Sequence, residues 1–174
     1  MVDSDEDRWL SADELKTWLS YVATTTLLEA ALDRQLQRDS SMSHAYYQIL
    51  AMLSDTPERK LRMSDLAALT QSSQSRLSHA VARLEANGWI RRVPCPDDRR
   101  STLAELTEEG FAALATAAPG HVRSVREAVF DRLTPEQVIQ LRQICGAILS
   151  GLPMERRGKA LLHAIMEYEQ HRDD

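Results

Sequence analysis

The chain has 174 residues, 43% of them hydrophobic, and a formal net charge of −5. That length fits one domain of ordinary size with a core of its own, and the composition excludes a chain disordered throughout. The acidic start "MVDSDEDRW" lacks the basic and apolar segments of a secretory leader, no apolar run is long enough for a bilayer, and two cysteines, Cys95 and Cys145, suit a reducing cytoplasm better than a disulfide framework.

Residues 11–38 read as one long helix. Ser11 and Glu14 form a capping box, and Leu15, Trp18, Leu19, Val22, Leu28, Leu32 and Leu36 follow helical spacing. Such a helix is too long for a lone surface helix, so burial against a partner subunit is expected. A second helix runs near 43–54 and stops before Thr56-Pro57. Ser64 is the expected N-cap of a short helix ending near Thr70. After the polar turn "QSS", another helix covers about Gln74 to Asn87. Its inner face carries Leu77, Ala80, Val81 and Leu84, and Gly88 supplies the left-handed residue that ends it.

Trp89 to Val93 reads as a strand, "PCPDDRR" as a turn, and Ser101 to Leu106 as the returning strand. A helix then starts after Thr107. Its stripe of Phe111, Leu114, Ala115, Ala118, Val122, Val125, Val129 and Leu133 keeps phase across Pro119-Gly120, which predicts one kinked helix rather than two. "TPEQ" at 134–137 opens the next, with Val138, Leu141, Ile144, Cys145 and Ile148 expected on its buried side. A last helix is expected over about 155–171.

Helix, turn, helix and hairpin in that order form a reading head with a wing. The charge distribution permits a polyanionic partner. Residues 57–107 hold nine Lys/Arg against six Asp/Glu, a net of +3, which leaves a net of −8 on the rest. A wing tip can lie along the narrow, negative minor groove, where arginine suits best, and Arg99 and Arg100 stand at the right place. Pro94 and Pro96 restrict the turn.

Two stretches together, "MSDLAALTQSSQSRLSHAVARLEANGWIRR" and Asp98-Arg99-Arg100 followed by Leu106-Thr107-Glu108-Glu109-Gly110, resemble the MarR family of bacterial transcriptional regulators. The resemblance covers about residues 12–150. It implies a mainly α fold with a small β-hairpin wing: a winged helix-turn-helix DNA-binding region plus a helical dimerisation region. Residues 1–42 would be the N-terminal dimerisation helix, 43–107 the DNA-binding region, and 108–174 the C-terminal helices for linkage and dimerisation. It also implies a homodimer on double-stranded DNA with a pseudo-palindromic operator, and often release by a small molecule or an oxidant.

By that resemblance Asp98 orients an arginine and Arg100 enters the minor groove, while Arg99 does the same or touches phosphate. Ser73, Gln74, Ser75, Arg76, Ser78 and His79 surround the major groove. Gln74 can read adenine, and Arg76 can read guanine or hold a phosphate. Ser64 is placed to meet phosphate near a helix start. Trp18, His44 and Tyr47 are candidates for a pocket taking a small aromatic effector, against the simpler reading of helix packing.

Cys95 in the wing can be a redox sensor or an incidental cysteine of a polar turn, and the second is favoured because Cys145, expected in the core, is remote. His163, Glu167 and His171 recur at i+4 without a further ligand, and His44 and His121 show no ligand spacing, so no metal is expected. No phosphate-cradling glycine loop, Gly-x-Ser-x-Gly or Cys-x-x-Cys is present; neither an enzyme nor a cofactor is expected. The rival to a DNA-binding regulator is a winged-helix protein–protein adaptor.

Overall fold

Ser11 begins the first helix as its sequence predicts. In the computed structural model, which describes residues 9–96 and 98–152, with the backbone alone at Arg99 and Arg100, helix α1 spans Ala12–Ser40. The Ser11 hydroxyl accepts the Glu14 N–H at 3.2 Å, and Glu14 accepts the Ser11 N–H at 2.7 Å. The helix is about 43 Å long at 1.5 Å per residue. Only its C-terminal part enters the core, through Leu32, Gln35 and Leu36. Upstream, Leu15, Trp18, Leu19, Tyr21 and Val22 stand exposed.

Helix α2 (His44–Ser54) is capped by Ser43, and Asp33 of α1 accepts the His44 N–H at 2.8 Å. A 3-10 turn, Pro57–Arg59, holds Glu58 and Arg59 at left-handed φ values of 56° and 54°. It leads into strand β1 (Lys60–Arg62), which lacks an apolar pattern of its own. Arg62, not Ser64, is the N-cap of α3 (Met63–Leu69); Ser64 lies in the first turn, its hydroxyl on Asp65 at 3.2 Å. Helix α4 (Gln74–Ala86) is capped by Ser73, and Leu77, Val81 and Leu84 are buried as their spacing requires. Gly88 has φ 74°, the conformation glycine adopts without steric cost.

Strands β2 (Ile90–Cys95) and β3 (Asp98–Leu106) form the hairpin, and β1 pairs with the other side of β3, giving the order β1-β3-β2. The hairpin is longer than its sequence suggests. Strand pairing continues to Cys95↔Asp98 after a register shift at Pro94/Cys95, so Arg99 and Arg100 lie in β3 beside the turn rather than within it. Pro94 is tolerated because β2 is an edge strand. The core-facing alternation of β3 is Ala104 and Leu106, with Leu103 only part-buried.

Helix α5 (Glu108–Ala128) runs unbroken through Pro119 and ends before a 3-10 turn at Phe130–Arg132, short of the Leu133 expected from its stripe. Its entry is tightly made. The Thr107 hydroxyl donates to the Gly88 carbonyl at 2.6 Å and accepts the Gly110 N–H at 3.0 Å. Arg59 pairs with Glu108 at 3.0 Å and lies 3.9 Å above the Phe111 ring, pinning the 3-10 turn to α5. Helix α5 packs on α1, and Gly120 allows the close approach: a Cβ there would stand 3.3 Å from Gln35.

Helix α6 (Pro135–Gly151) opens with the predicted capping box between Thr134 and Gln137. None of its residues is buried, so the side expected to be covered is open among the described residues: Leu141, Ile144, Cys145 and Ile148 are exposed and Val138 is part-exposed. Spacing identifies an apolar face but not what covers it. The helix expected at 155–171, with His163, Glu167 and His171, lies outside the described residues.

Candidate nucleic-acid interface

The reading head is assembled by packing its apolar sides inward. Leu66, Ala67 and Ala68 of α3, Leu77, Val81 and Leu84 of α4, and Ile90, Ala104 and Leu106 of the sheet are buried. The rest of α4 faces solvent with Gln74, Ser75, Arg76, Ser78 and His79 exposed along it. Ser73 precedes them and accepts the Arg76 N–H at 3.2 Å, so its oxygen sets the helix start. Ser64 on α3 is exposed as well.

The wing is tied to this helix by a residue not singled out above for such a role, Arg92. Its guanidinium donates to the Ser78 carbonyl at 2.9 Å and pairs with Glu85 at 3.0 Å, and its backbone N–H donates to the same carboxylate at 3.0 Å. The hairpin therefore cannot pivot freely against α4. Arg91 sits in a two-bond fork with Glu105, both contacts 2.7 Å, with Lys60 3.7 Å from that carboxylate. The pairing holds Glu105 below the usual carboxylate range, through its hydrogen bond to Arg91 first, and raises Arg91. These two arginines are thus compensated by acids within the head. Asp98 accepts the Ser101 hydroxyl at 2.6 Å and lies 3.9 Å from Arg62. Cys95 is buried at the closing strand pair, not an exposed turn cysteine, while Cys145 is exposed on α6 instead of in the core.

Of the three effector-pocket candidates, His44 and Tyr47 come together and Trp18 does not join them. Trp18 stacks on Tyr21 at 6.1 Å on the exposed part of α1. His44 and Tyr47 instead face His121 of α5, at 5.5 and 4.3 Å between ring centroids. His121 is 9% exposed, and its Nδ1 and the Oε1 of buried Gln35 have no hydrogen-bond partner among the described residues. Its helical phase was the available signal: Leu114, Ala117 and His121 fall at i, i+3 and i+7 on the buried face.

Burial first, and then the facing His44, pull the His121 imidazole below its ordinary pKa of 6.5. Tyr47 of α2 also faces it, and Gln35 of α1, whose amide is held by Asp39 at 2.8 Å, packs by the adjacent Gly120. In mild acid the unfolded chain takes up a proton that the folded one resists. Stability held above about pH 6.5 is therefore expected to decline as pH falls through the window below it. Denaturant midpoints measured between about pH 7.5 and pH 5.5 should drop less for His121→Gln than for the parent. An equally steep drop in both would show that His121 does not cause it.

Among the described residues no helix is long and apolar enough to cross a membrane, and no group of three or more His, Cys, Asp or Glu is arranged to hold a metal. The architecture of helix, turn, exposed helix and braced hairpin is that of a winged helix-turn-helix protein. Residues 40–101 match the profile of the MarR family. The chain is 30% identical over 123 residues to the HTH-type transcriptional regulator PecS of Dickeya dadantii, covering 70% of this chain and 73% of PecS. It is 24% identical over 131 residues to the transcriptional repressor MprA of Escherichia coli K12, covering 75% and 74%. Among solved structures it superposes on Sco3205, a MarR family transcriptional regulator from Streptomyces coelicolor crystallised in complex with DNA. There the TM-score is 0.83 and the identity 54%, over 87% of this chain and 95% of that one. The protein belongs to the MarR family: it is a transcriptional regulator and not an enzyme.

Proposed function

We propose that this regulator acts on double-stranded DNA in the cytoplasm as a homodimer, with α4 in the major groove and the β2–β3 wing in the adjacent minor groove of a pseudo-palindromic operator. The observation that carries this reading is the exposed polar face of α4 beside a hairpin braced to it through Arg92, Glu85 and Ser78. Sco3205, more than half identical, was crystallised on DNA, which supports the same partner here. In this reading Gln74, Ser75, Arg76, Ser78 and His79 meet base edges and phosphates, with Ser73 at the helix start. Ser64 meets phosphate, Asp98 orients an arginine, and Arg99 and Arg100 reach the minor groove.

The open apolar faces of α1 and α6 supply the dimer contact, and a two-fold places the two α4 helices one DNA turn apart, ~34–36 Å. Repression by occupying the operator is the simplest mode, and MprA is named a repressor. A small aromatic effector fits the ring cluster of His44, Tyr47 and His121 better than Trp18, which stands on the open face of α1. An effector would act by preferring a head spacing that no longer matches the operator.

Selection of bound sequences from random duplexes tests this. The parent should yield a palindrome-like consensus. Arg100→Ala should bind roughly 5- to 100-fold more weakly, with reduced preference at flanking A·T positions. An unchanged profile would remove Arg100 from the wing's role. No duplex affinity, with salt-insensitive capture of a protein partner, would favour the adaptor reading instead.

A further inference from the structure

We propose that the cleft between α3, α4 and the wing seats a backbone phosphate of the bound DNA, with Arg62 as its principal cation. This rests on the DNA-binding reading above. If α4 enters a major groove and the wing the neighbouring minor groove, one sugar–phosphate strand separates the two and must cross the protein between them. The space it has to cross is a cleft of about 320 Å³, lined by Arg62, Ser64, Ser78, Arg92, Ser101 and Thr102. Two guanidinium groups and four hydroxyls line it beside Met63, and three of these side chains are already held by carboxylates: Ser101 by Asp98, Ser64 by Asp65 and Arg92 by Glu85. A phosphate diester asks for cationic and hydroxyl donors of this kind, and Arg62 and Thr102 are the ones to supply them here.

The two arginines are not equivalent. Arg92 is engaged three times over, by the Ser78 carbonyl and twice by Glu85, so it shapes the cleft wall. Arg62 is fixed differently. Its backbone is held in β1 opposite Leu103, while its guanidinium lies 3.9 Å from the Asp98 carboxylate, beyond hydrogen-bond length, and is part-exposed. Asp98 already accepts the Ser101 hydroxyl at 2.6 Å. Arg62 is thus pre-aimed by an acid but can turn its N–H fork onto a phosphate oxygen without losing a short bond. Thr102 is exposed on β3 at the same cleft and can supply a second donor. Strand β1 gains a purpose here: it places a cation beside the wing base, where the chain order alone would not put one.

The test compares parent, Arg62→Gln, Arg62→Lys and Thr102→Val on a duplex carrying the consensus selected by the parent, titrated in potassium chloride from about 50 to 200 mM. Arg62→Gln should flatten the slope of log affinity against log salt by about 0.9 per subunit, or about 1.8 for a dimer, so that the parent's advantage shrinks about 12-fold across that range. The consensus itself should not change, because a phosphate contact is blind to sequence. Arg62→Lys should keep the parent slope, which separates a lost charge from a damaged fold, and Thr102→Val should weaken binding with the slope nearly intact. A parent slope retained in Arg62→Gln, or a shifted consensus, overturns the phosphate seat while leaving DNA binding in place. A parent that binds no duplex overturns the DNA-binding reading and the seat with it.

Discussion

Ile144→Glu combined with Ile148→Glu should convert the proposed dimer to a monomer and weaken operator binding by about 10²- to 10⁴-fold, the advantage two linked heads hold over one. Helix α6 has no buried residue, yet Leu141, Ile144 and Ile148 line up at i, i+3 and i+7 with 40%, 56% and 45% of their surface exposed. Helix α1 carries a matching open stripe in Leu15, Trp18, Leu19 and Val22. Two long apolar faces left uncovered by the described residues are unusual on a monomer. Each isoleucine covered by a partner contributes about 1.5–3 kcal/mol, whereas a glutamate there must lose water or keep the subunits apart. Sedimentation of parent and variant at equal concentration reads the first effect, and duplex titration the second. A parent that sediments as a monomer, or a variant that remains dimeric, would refute this assignment of α6.

Gly110→Ala should lower stability by about 2–4 kcal/mol, despite the roughly 1 kcal/mol that alanine normally adds within a helix. A Cβ at this position would run into the Trp89 carbonyl oxygen and meet the Leu106 Cδ1 at 2.8 Å. The leucine tip can move, but the carbonyl cannot do so alone. It accepts the Thr107 N–H at 3.1 Å and immediately precedes β2. Relief requires α5 to lift from the root of the wing, disturbing the Thr107 cap and its bond to the Gly88 carbonyl. A thermal melt should show the midpoint reduced by about 5–15 °C at this chain length. A midpoint within about 1 °C of the parent would mean that the entry to α5 has slack the geometry denies.

Gly110 also gives the Leu-Thr-x-x-Gly pattern a physical meaning. The threonine caps the helix and ties it back to Gly88. The glycine three residues later lets that helix sit against the Trp89 carbonyl. The Leu-Thr-x-x-Gly pattern marks this corner, and the close approach of α5 to the Trp89 carbonyl explains it.

What the amino-acid sequence determined by itself is the set of features whose causes lie within a few residues. The capping boxes at Ser11/Glu14 and Thr134/Gln137 and the left-handed stop at Gly88 are set by neighbours about one turn away, the apolar spacing of α4 repeats along its own turns, and each was legible. The order of helix, turn, helix and hairpin followed from them. Tertiary structure decided whatever depends on a partner far along the chain. Lys60–Arg62 becomes a strand only because β3 offers its free edge, and Cys95 is buried because pairing continues past a proline that locally reads as a turn. Arg92 finds Ser78 fourteen residues back, and His121 meets His44 and Tyr47 from more than seventy residues away. Local sterics and short hydrogen bonds are written in adjacent residues. Long-range pairing is a choice among many possible partners, and only packing of the whole core makes it.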